Sequence, residues 1–431
     1  MGNRKSHNGS LSRVKGRRIG FVSTRFEGTD GVSLESEKWI EIFKRLECEC
    51  YFFAGLCDWD DSRTYLVPEA HFKHPEISRI NEIAFSQRTR PQEITRNIYN
   101  LKDYLKENIT TFVKRYDLEI LVVENALAIP LNIPLGLALT EYIAETGMPV
   151  IAHHHDLFWE RKRFLVNCVW DYFNMAFPPH LPTIRHVVIN SSASNQLSLR
   201  TGISSMLIPN VMDFDSPPPP PDDYSRDVRE ALSVAPDEYF LLQPTRVVPR
   251  KGIEHAIELT RRLGLKARLV ISHASGDEGY EYEHRLKDYA KLMDIHVNFE
   301  AEIIRPKRNK IDGRKVYTLN DVYPYADLVT YPSDIEGFGN AFLEALYHRR
   351  PIIVNNYSIF DTDIKPKGFR VIEFDGYITE QTIIYTRSIL ENSTMAQEMV
   401  EHNYRLGHRY YSYSMLERRL RTLLSERFGE D

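Results

Sequence analysis

Apolar and polar positions along the chain follow two periods that take turns. Short apolar runs suit strands buried in a sheet, and stretches with apolar residues at i, i+3 and i+4 suit helices lying on one. RRIGFVST (17–24) reads as a first strand. SLESEKWIEIFKRL (33–46) is an amphipathic helix with Leu34, Trp39, Ile40, Phe43 and Leu46 on one side, and ECYFFAG (49–55) a second strand. Residues 56–91 show neither period and read as irregular. A long helix over 93–115, a strand over 119–125, a helix over 130–147 and the strand MPVIAHHHD (148–156) follow. The charged run from Glu160 opens a helical region, RHVVINSS (185–192) is a further strand, and MLIPNVMDF (206–214) closes the first half.

Five consecutive prolines, Pro217 to Pro221, then interrupt the alternation. Such a run is stiff and extended and marks a domain boundary. Beyond it come strand FLLQPT (240–245), helix 253–263, strand 267–275, helix 281–293 and strand HVNFEAEII (296–304). A short helix over 319–326, strand 327–333, helix 341–348 and strands 351–355 and 369–375 follow, then helices over 380–391 and 394–406 and the stretch 409–426. Strands alternating with helices predict an α/β chain of two Rossmann-like, doubly wound domains, in which ligands collect at the carboxyl ends of the strands. The domains are expected over 17–214 and 222–407, after a flexible basic tail over 1–16.

Composition narrows the class. The chain has 431 residues, 42% hydrophobic and 27% charged, which is ordinary for a globular protein and long enough for two domains. A net charge of -5 disfavours nucleic acid as the main partner. No apolar run approaches a transmembrane span and no signal-peptide core opens the chain, so a cytoplasmic enzyme is expected. Cys48, Cys50, Cys57 and Cys168 lack metal-site spacing and are expected to be buried free thiols in a reducing compartment. Nothing in the pattern sets the oligomeric state.

The densest chemistry lies in YPSDIEGFGNAFLEALYHRRPIIVN (331–355). Here a strand gives way to the loop of Gly337, Phe338 and Gly339 and then to a helix from Asn340. A glycine turn at a helix start leaves N–H groups that, with the helix dipole, hold an anion. Glu336 and Glu344 flank the turn. Carboxylates repel phosphate, so they are suited to accept hydrogen bonds from hydroxyls, and hydroxyls with phosphate describe a sugar nucleotide. The plainer alternative is a turn that only caps a core helix. Arg246 and Lys251, at a strand outlet and a helix start, can reach one anion or form a structural ion pair.

This stretch resembles the retaining family-four (group 1) glycosyltransferases, whose hallmark is two glutamates eight residues apart in an EGFG-type loop. The resemblance implies the GT-B fold, two Rossmann-like domains facing a cleft, with the final helix (408–431) packed back on the first domain. It implies that Arg246 and Lys251 hold the donor diphosphate, Glu336 the transferred sugar and Glu344 the ribose, beside Gly337, Phe338, Gly339 and Asn340. Electrostatic stabilisation of the leaving diphosphate by these groups removes the need for a metal in donor binding, and the nucleotide sugar is the co-substrate. IPNVMD (208–213) resembles the family's interdomain passage, with Val211 in place of glycine. Family members carry glycine where Ala301 or Glu302 stands, in the loop facing the nucleobase, so the base stays open.

On the acceptor side the resemblance selects His155, in HHHD, to hydrogen bond the transferred sugar or orient the acceptor; a structural histidine beside a capping Asp156 is the alternative. Histidines along one strand alternate faces, so His154 should point away from His153 and His155, and no further zinc ligand is evident. Gly31 either admits acceptor or phosphate to the backbone or only permits a turn. Arg25 and Arg161, with Lys162 and Arg163, suit an anionic acceptor, although a charge run is more often a solvated face. Residues 56–91 carry no assigned chemistry.

The expected activity is retaining transfer of a hexose from GDP-mannose or UDP-glucose to a small anionic acceptor, such as a glycosylglycerate or its phosphate. A loose whole-chain similarity to mannosylglucosyl-3-phosphoglycerate synthases, compatible-solute enzymes, favours GDP-mannose. The competing readings are a sugar-nucleotide binding protein without turnover and a phosphorylase on the same fold.

Overall fold

A computed structural model describes residues 16–28, 31–275 and 279–428 of the protein. The basic stretch 1–16 therefore lies outside the described residues except for Gly16. The chain forms two compact units, Met1–Pro209 with Ser414–Asp431, and Asn210–Tyr413.

The strands of the first unit are β1 (Arg18–Val22), β2 (Glu49–Ala54), β3 (Thr64–Leu66), β4 (Ile120–Glu124), β5 (Val150–His154), β6 (Ile184–Val188) and β7 (Ser205–Leu207). They form one sheet in the order β3-β2-β1-β4-β5-β6-β7, with every neighbouring pair parallel. Its helices are α1 (Gly31–Arg45), α2 (Pro75–Ala84), α3 (Gln92–Tyr116), α4 (Ile133–Thr146), α5 (Trp170–Ala176) and α6 (Ser191–Thr201). Helices on a parallel sheet bury the strands on both faces, which is why β4 and β5 are buried at every position. Leu105, Ile109 and Phe112 of α3 and Leu135 and Leu139 of α4 pack with Leu121 and Val123 in one core. Strand order reverses between β1 and β4, so the crevice at their carboxyl ends is the place for a ligand.

Two expectations for this unit are corrected. Residues 56–91 contain β3, α2 and 3-10 turns over Asp61–Arg63 and Pro68–Ala70. β3 is a three-residue edge strand, too short to show a period, and α2 starts at Pro75, where the missing N–H costs nothing. The run from Glu160 forms short 3-10 turns, Phe158–Glu160 and Lys162–Phe164, and helix begins only at Trp170. The Glu160 side chain accepts from the Leu157 amide, and Phe158 and Phe164 pack on Phe173, so local bonds and aromatic docking turn the chain back.

The second unit holds β8 (Tyr239–Gln243), β9 (Ala267–Ile271), β10 (Val297–Phe299), β11 (Asn309–Ile311), β12 (Arg314–Val316), β13 (Leu328–Tyr331), β14 (Ile352–Asn355) and β15 (Ile372–Phe374). Six form a parallel sheet in the order β10-β9-β8-β13-β14-β15, and β11 and β12 form an antiparallel hairpin. The helices are α7 (Val228–Ala231), α8 (Ile253–Leu263), α9 (Glu281–Leu292), α10 (Leu319–Val322), α11 (Asn340–Tyr347), α12 (Glu380–Glu391) and α13 (Ser393–Tyr411); α14 (Tyr413–Phe428) joins the first unit from Ser414. Order reverses between β8 and β13, which places the loops carrying Lys251 and Glu336 side by side at a switch point.

The expected strand 296–304 stops at Phe299, and the stretch 409–426 is divided between α13 and α14, with Ser412 extended between them. All four cysteines are free thiols; Cys48 and Cys50 are buried, whereas Cys57 and Cys168 are only half-buried.

Candidate active site

In the second unit the chain leaves β13 at Tyr331, loops through Asp334 to Gly339 and enters α11 at Asn340. Other elements fix each part of this loop. Asn355 Nδ2 donates to Asp334 Oδ1 at 2.9 Å, and Tyr357 Oη donates to the Phe338 carbonyl at 2.8 Å. Asn210 Nδ2 donates to Asn340 Oδ1 at 2.8 Å. Gly339 has φ +122°, and a Cβ there would stand 2.8 Å from Tyr357 Oη and 3.1 Å from Tyr331 Oη, so only glycine fits.

The loop after β8 lies against it. Lys251 closes a 3-10 turn, and Gly252 follows at φ +56°, where a Cβ would meet the Pro332 carbonyl oxygen at 2.4 Å. This close approach carries the Lys251 ammonium onto Glu336 Oε1, while Arg250 stands 3.9 Å from Oε2. The side chains of Lys251 and Glu336 are 11% and 10% exposed. Burial lowers the pKa of Lys251, and the Glu336 charge only partly opposes this. The ion pair left open for Lys251 therefore exists, and its partner is the glutamate expected to grip the sugar. Arg246 is exposed, and its charge is felt at both Lys251 and His273. Glu344, within α11, accepts from Tyr323 Oη at 2.7 Å. Two cations, Lys251 and Arg250, thus stand at one carboxylate at the switch point of the sheet, with the charge of Arg246 acting on Lys251 and a helix N-terminus beside them, a combination suited to an anion.

His273, just past β9, was not foreseen. Its Nδ1 is 2.7 Å from Ser272 Oγ, and burial, followed by the charges of Arg246 and Lys251, pushes its pKa down to about 4. Its one sequence signal was a histidine at a strand outlet. Asn210, Asn355 and Tyr357 were also missed, because each acts across a long sequence separation.

In the first unit β4 and β5 are in register at Glu124 and His153. His153 Nδ1 and His155 Nε2 both donate to Glu124 Oε2, at 2.9 and 3.2 Å. His154 points to the other face, where its Nε2 lies 2.9 Å from His186 Nδ1, as the strand alternation requires. Trp39 stacks on His153 with ring centres 4.2 Å apart, and the His155 amide donates to Asn125 Oδ1 at 3.0 Å. Helix α1 turns Glu35 inward (1% exposed), whereas Leu34 is only half-buried. Burial would raise the Glu124 pKa, but the two imidazoles bring it down to about 2. His153 is lowered by burial, while for His155 burial is outweighed by the bond to Glu124 and by the charges of Glu124, Glu35 and Asp156, which raise it. The expectation that no further ligand stands beside the histidines is corrected: Glu124, His153 and His155 offer ligand atoms within 4.8 Å of one another. The carboxylate oxygen already lies between the two imidazoles as their hydrogen-bond acceptor.

Arg161 pairs with Asp156, next to His155. Arg163 lies over the Phe164 ring, 4.7 Å from its centre, and Lys162 is exposed, the arrangement of a solvated face. Arg25 lies over the Phe72 ring at 5.3 Å, and Gly31 opens α1 in an exposed position.

Among the described residues no helix is long and apolar enough to cross a membrane. The sequence profile of a family described as "Glycosyl transferases group 1" matches residues 225–406. The chain is 30% identical to the mannosylglucosylglycerate synthase of Petrotoga mobilis, over 82% of this chain and 86% of that one. It is likewise 30% identical to the mannosylglucosylglycerate synthase of Thermotoga maritima, over 93% and 98%. The sucrose-phosphate synthase of Thermosynechococcus elongatus shares the fold, with a TM-score of 0.67 at 14% identity over 96% of this chain and 99% of that one. The glutamate-flanked glycine loop, the cations beside it and two doubly wound units agree with these likenesses: the chain belongs to the group 1 glycosyl transferases, enzymes of GT-B fold that take the sugar from a nucleotide-sugar donor.

Proposed function

We propose that this enzyme transfers a hexose, with retention at the anomeric carbon, from GDP-mannose or UDP-glucose to a small anionic acceptor of the glycosylglycerate type. The observation that carries the reading is the contact of Lys251 with Glu336 at the switch point of the second sheet. On donor binding the diphosphate becomes the partner of Lys251, joined by Arg246, and the loop amides of Gly337, Phe338 and Gly339 add fixed dipoles. Glu336 is then released to accept from sugar hydroxyls, and Glu344 serves the ribose, next to Asn340. The bond from the anomeric carbon to the leaving phosphate oxygen breaks as the acceptor oxygen bonds on the same face. The acceptor proton passes to the phosphate that leaves.

On the acceptor side, His155 with Arg161, Arg25 and Gly31 supplies donors for an anion. The similarity to two mannosylglucosylglycerate synthases supports this choice of acceptor. We assign the donor role to 222–407, the acceptor role to 17–214 with 408–431, and a cytoplasmic location. The test is incubation with GDP-mannose, UDP-glucose and ADP-glucose, with and without glucosylglycerate, while nucleoside diphosphate release is followed. Release that depends on both donor and glucosylglycerate is expected. No release with any pair would leave a binding protein, and release only with added inorganic phosphate would mean a phosphorylase.

A further inference from the structure

Glu300 follows β10 directly, and its side chain takes no part in the site described above. Its amide donates to the Ile271 carbonyl at 2.9 Å, which carries the pairing of β10 with β9 one residue past the strand. Its carbonyl accepts from the Ile304 amide at 2.8 Å, which turns the chain away. The residue is therefore fixed at the outlet. Side chains alternate along a strand. Val297 and Phe299 pack into the core with α8 and α9, whereas Asn298 points the other way and donates to the Leu232 carbonyl after α7. Glu300 shares the face of Asn298. It is half-buried, and among the described residues no lysine, arginine or hydrogen-bond donor pairs with its carboxylate. Burial, followed by the charge of Glu302, raises its pKa. A half-buried carboxylate without donors is costly until a ligand supplies them.

Its place follows the strand ends away from the phosphate cations. On the function proposed above, the diphosphate lies with Lys251 at the outlets of β8 and β13. A nucleoside can leave that point in two directions. Toward β14 the polar groups are taken: Asn355 bonds to Asp334 and to the Gly376 amide, and Tyr357 to the Phe338 carbonyl. Toward β9 and β10 stand His273, which feels the charges of Arg246 and Lys251, and then Glu300. Neighbouring strands are about 4.8 Å apart, so Glu300 stands about 10 Å from the outlet of β8, where the base falls once diphosphate and ribose are placed.

We propose that Glu300 reads the base of the donor nucleotide and selects guanine. The proposal rests on the donor reading above and deepens it. A carboxylate only accepts, through two oxygens side by side. Guanine offers two parallel donors, N1–H and N2–H, which match both oxygens. Uracil offers one N–H between two carbonyl oxygens, and adenine sets a bare ring nitrogen beside its amine. Each of these turns lone pairs toward the carboxylate and is rejected. Of the two donors named above, GDP-mannose fits such a site and UDP-glucose does not.

The experiment is isothermal titration of the full-length protein with GDP, inosine diphosphate, UDP and ADP, on the wild type, Glu300→Gln and Glu300→Asp. Inosine diphosphate keeps N1–H and lacks the N2 amine. The wild type is expected to bind GDP about tenfold tighter than inosine diphosphate and about a hundredfold tighter than UDP or ADP. In Glu300→Gln the affinity for GDP should fall by at least about tenfold, while UDP and ADP bind as before or severalfold tighter, because the charge that repels them is gone. Glu300→Asp should keep the wild-type order of nucleotides. Equal weakening of all four in Glu300→Gln would make Glu300 a ribose ligand or a support of the fold, and that result overturns the proposal. A wild type that takes UDP or ADP as tightly as GDP also overturns it and leaves the phosphate site at Lys251 standing. A wild type that binds none of the four overturns it together with the donor reading.

Discussion

The outlets of the two sheets hold the same object with inverted partners. In the second unit a buried ammonium, Lys251, meets a glutamate brought by a loop; in the first a buried glutamate, Glu124, meets histidines brought by a strand. Burial lowers the Lys251 pKa and the Glu336 charge only partly opposes this, so the first pair rests on direct contact of its two charged groups. Imidazole titrates near neutrality, so the second responds to pH. On the reading proposed above, the diphosphate site and the acceptor site are thus built from the same sheet architecture.

The comparison is tested hardest by Glu336→Ala. It leaves Lys251 buried without a partner, and breaking a buried pair costs on the order of 3–5 kcal/mol. Losing a charged hydrogen bond in the reaction costs about 1.5–3 kcal/mol, roughly ten- to a hundredfold in rate. We expect a lower Tm by calorimetry and a fall in kcat at every pH from 6 to 9. A variant that melts and turns over like the wild type would mean that the pair is incidental. Glu344→Ala should lose much less kcat, because Glu344 is assigned to the carrier and not to the reacting sugar.

Gly339→Ala comes next. It forces a side chain into positive φ against Tyr357 and Tyr331, a strain of about 1–3 kcal/mol. The loop amides should shift and nucleoside diphosphate binding should weaken in isothermal titration, whereas glucosylglycerate binding should not move. A shift in both would mean that the two outlets do not act independently.

Acid sharpens the contrast from the other face of β5. Burial holds the pKa of His186 down at about 4, below its unfolded value of about 6.5. The unfolded chain therefore binds the proton first, and stability is full above about 6.5 and falls as pH drops toward 4, by on the order of 2 kcal/mol from this group. His186→Asn should flatten that fall in urea melts between pH 6.5 and 4.5; an unchanged slope would assign the acid sensitivity elsewhere. The smallest effect is expected from Arg161→Ala, since its pair with Asp156 is one-third exposed. It should reduce the preference for an anionic acceptor over a neutral one severalfold at low salt, and a preference that stays constant would remove Arg161 from the acceptor site.

The donor outlet was legible because its residues lie in one contiguous stretch. Glu336, the glycines and Glu344 sit in a single strand-loop-helix unit, and their spacing carries the resemblance that implies their roles. The acceptor outlet was legible only in part. HHHD showed three histidines and their alternation, but Glu124 precedes them by a whole helix and meets them only because β4 pairs with β5. Glu35 was not among the positions expected on the buried side of α1, yet it turns inward. The hairpin of β11 and β12 went unread, although Asp312 and Gly313, both at positive φ, form the two-residue turn that joins them.

The sequence by itself determined the alternation of strand and helix, the presence of two doubly wound units and the glutamate-flanked glycine loop, because periodicity and turn chemistry act over a few residues. Only the tertiary structure decided which charges meet. Lys251 meets Glu336 across 85 positions and His155 meets Glu124 across 31. Strand order sets such contacts, and burial then decides which of the paired groups keeps its proton.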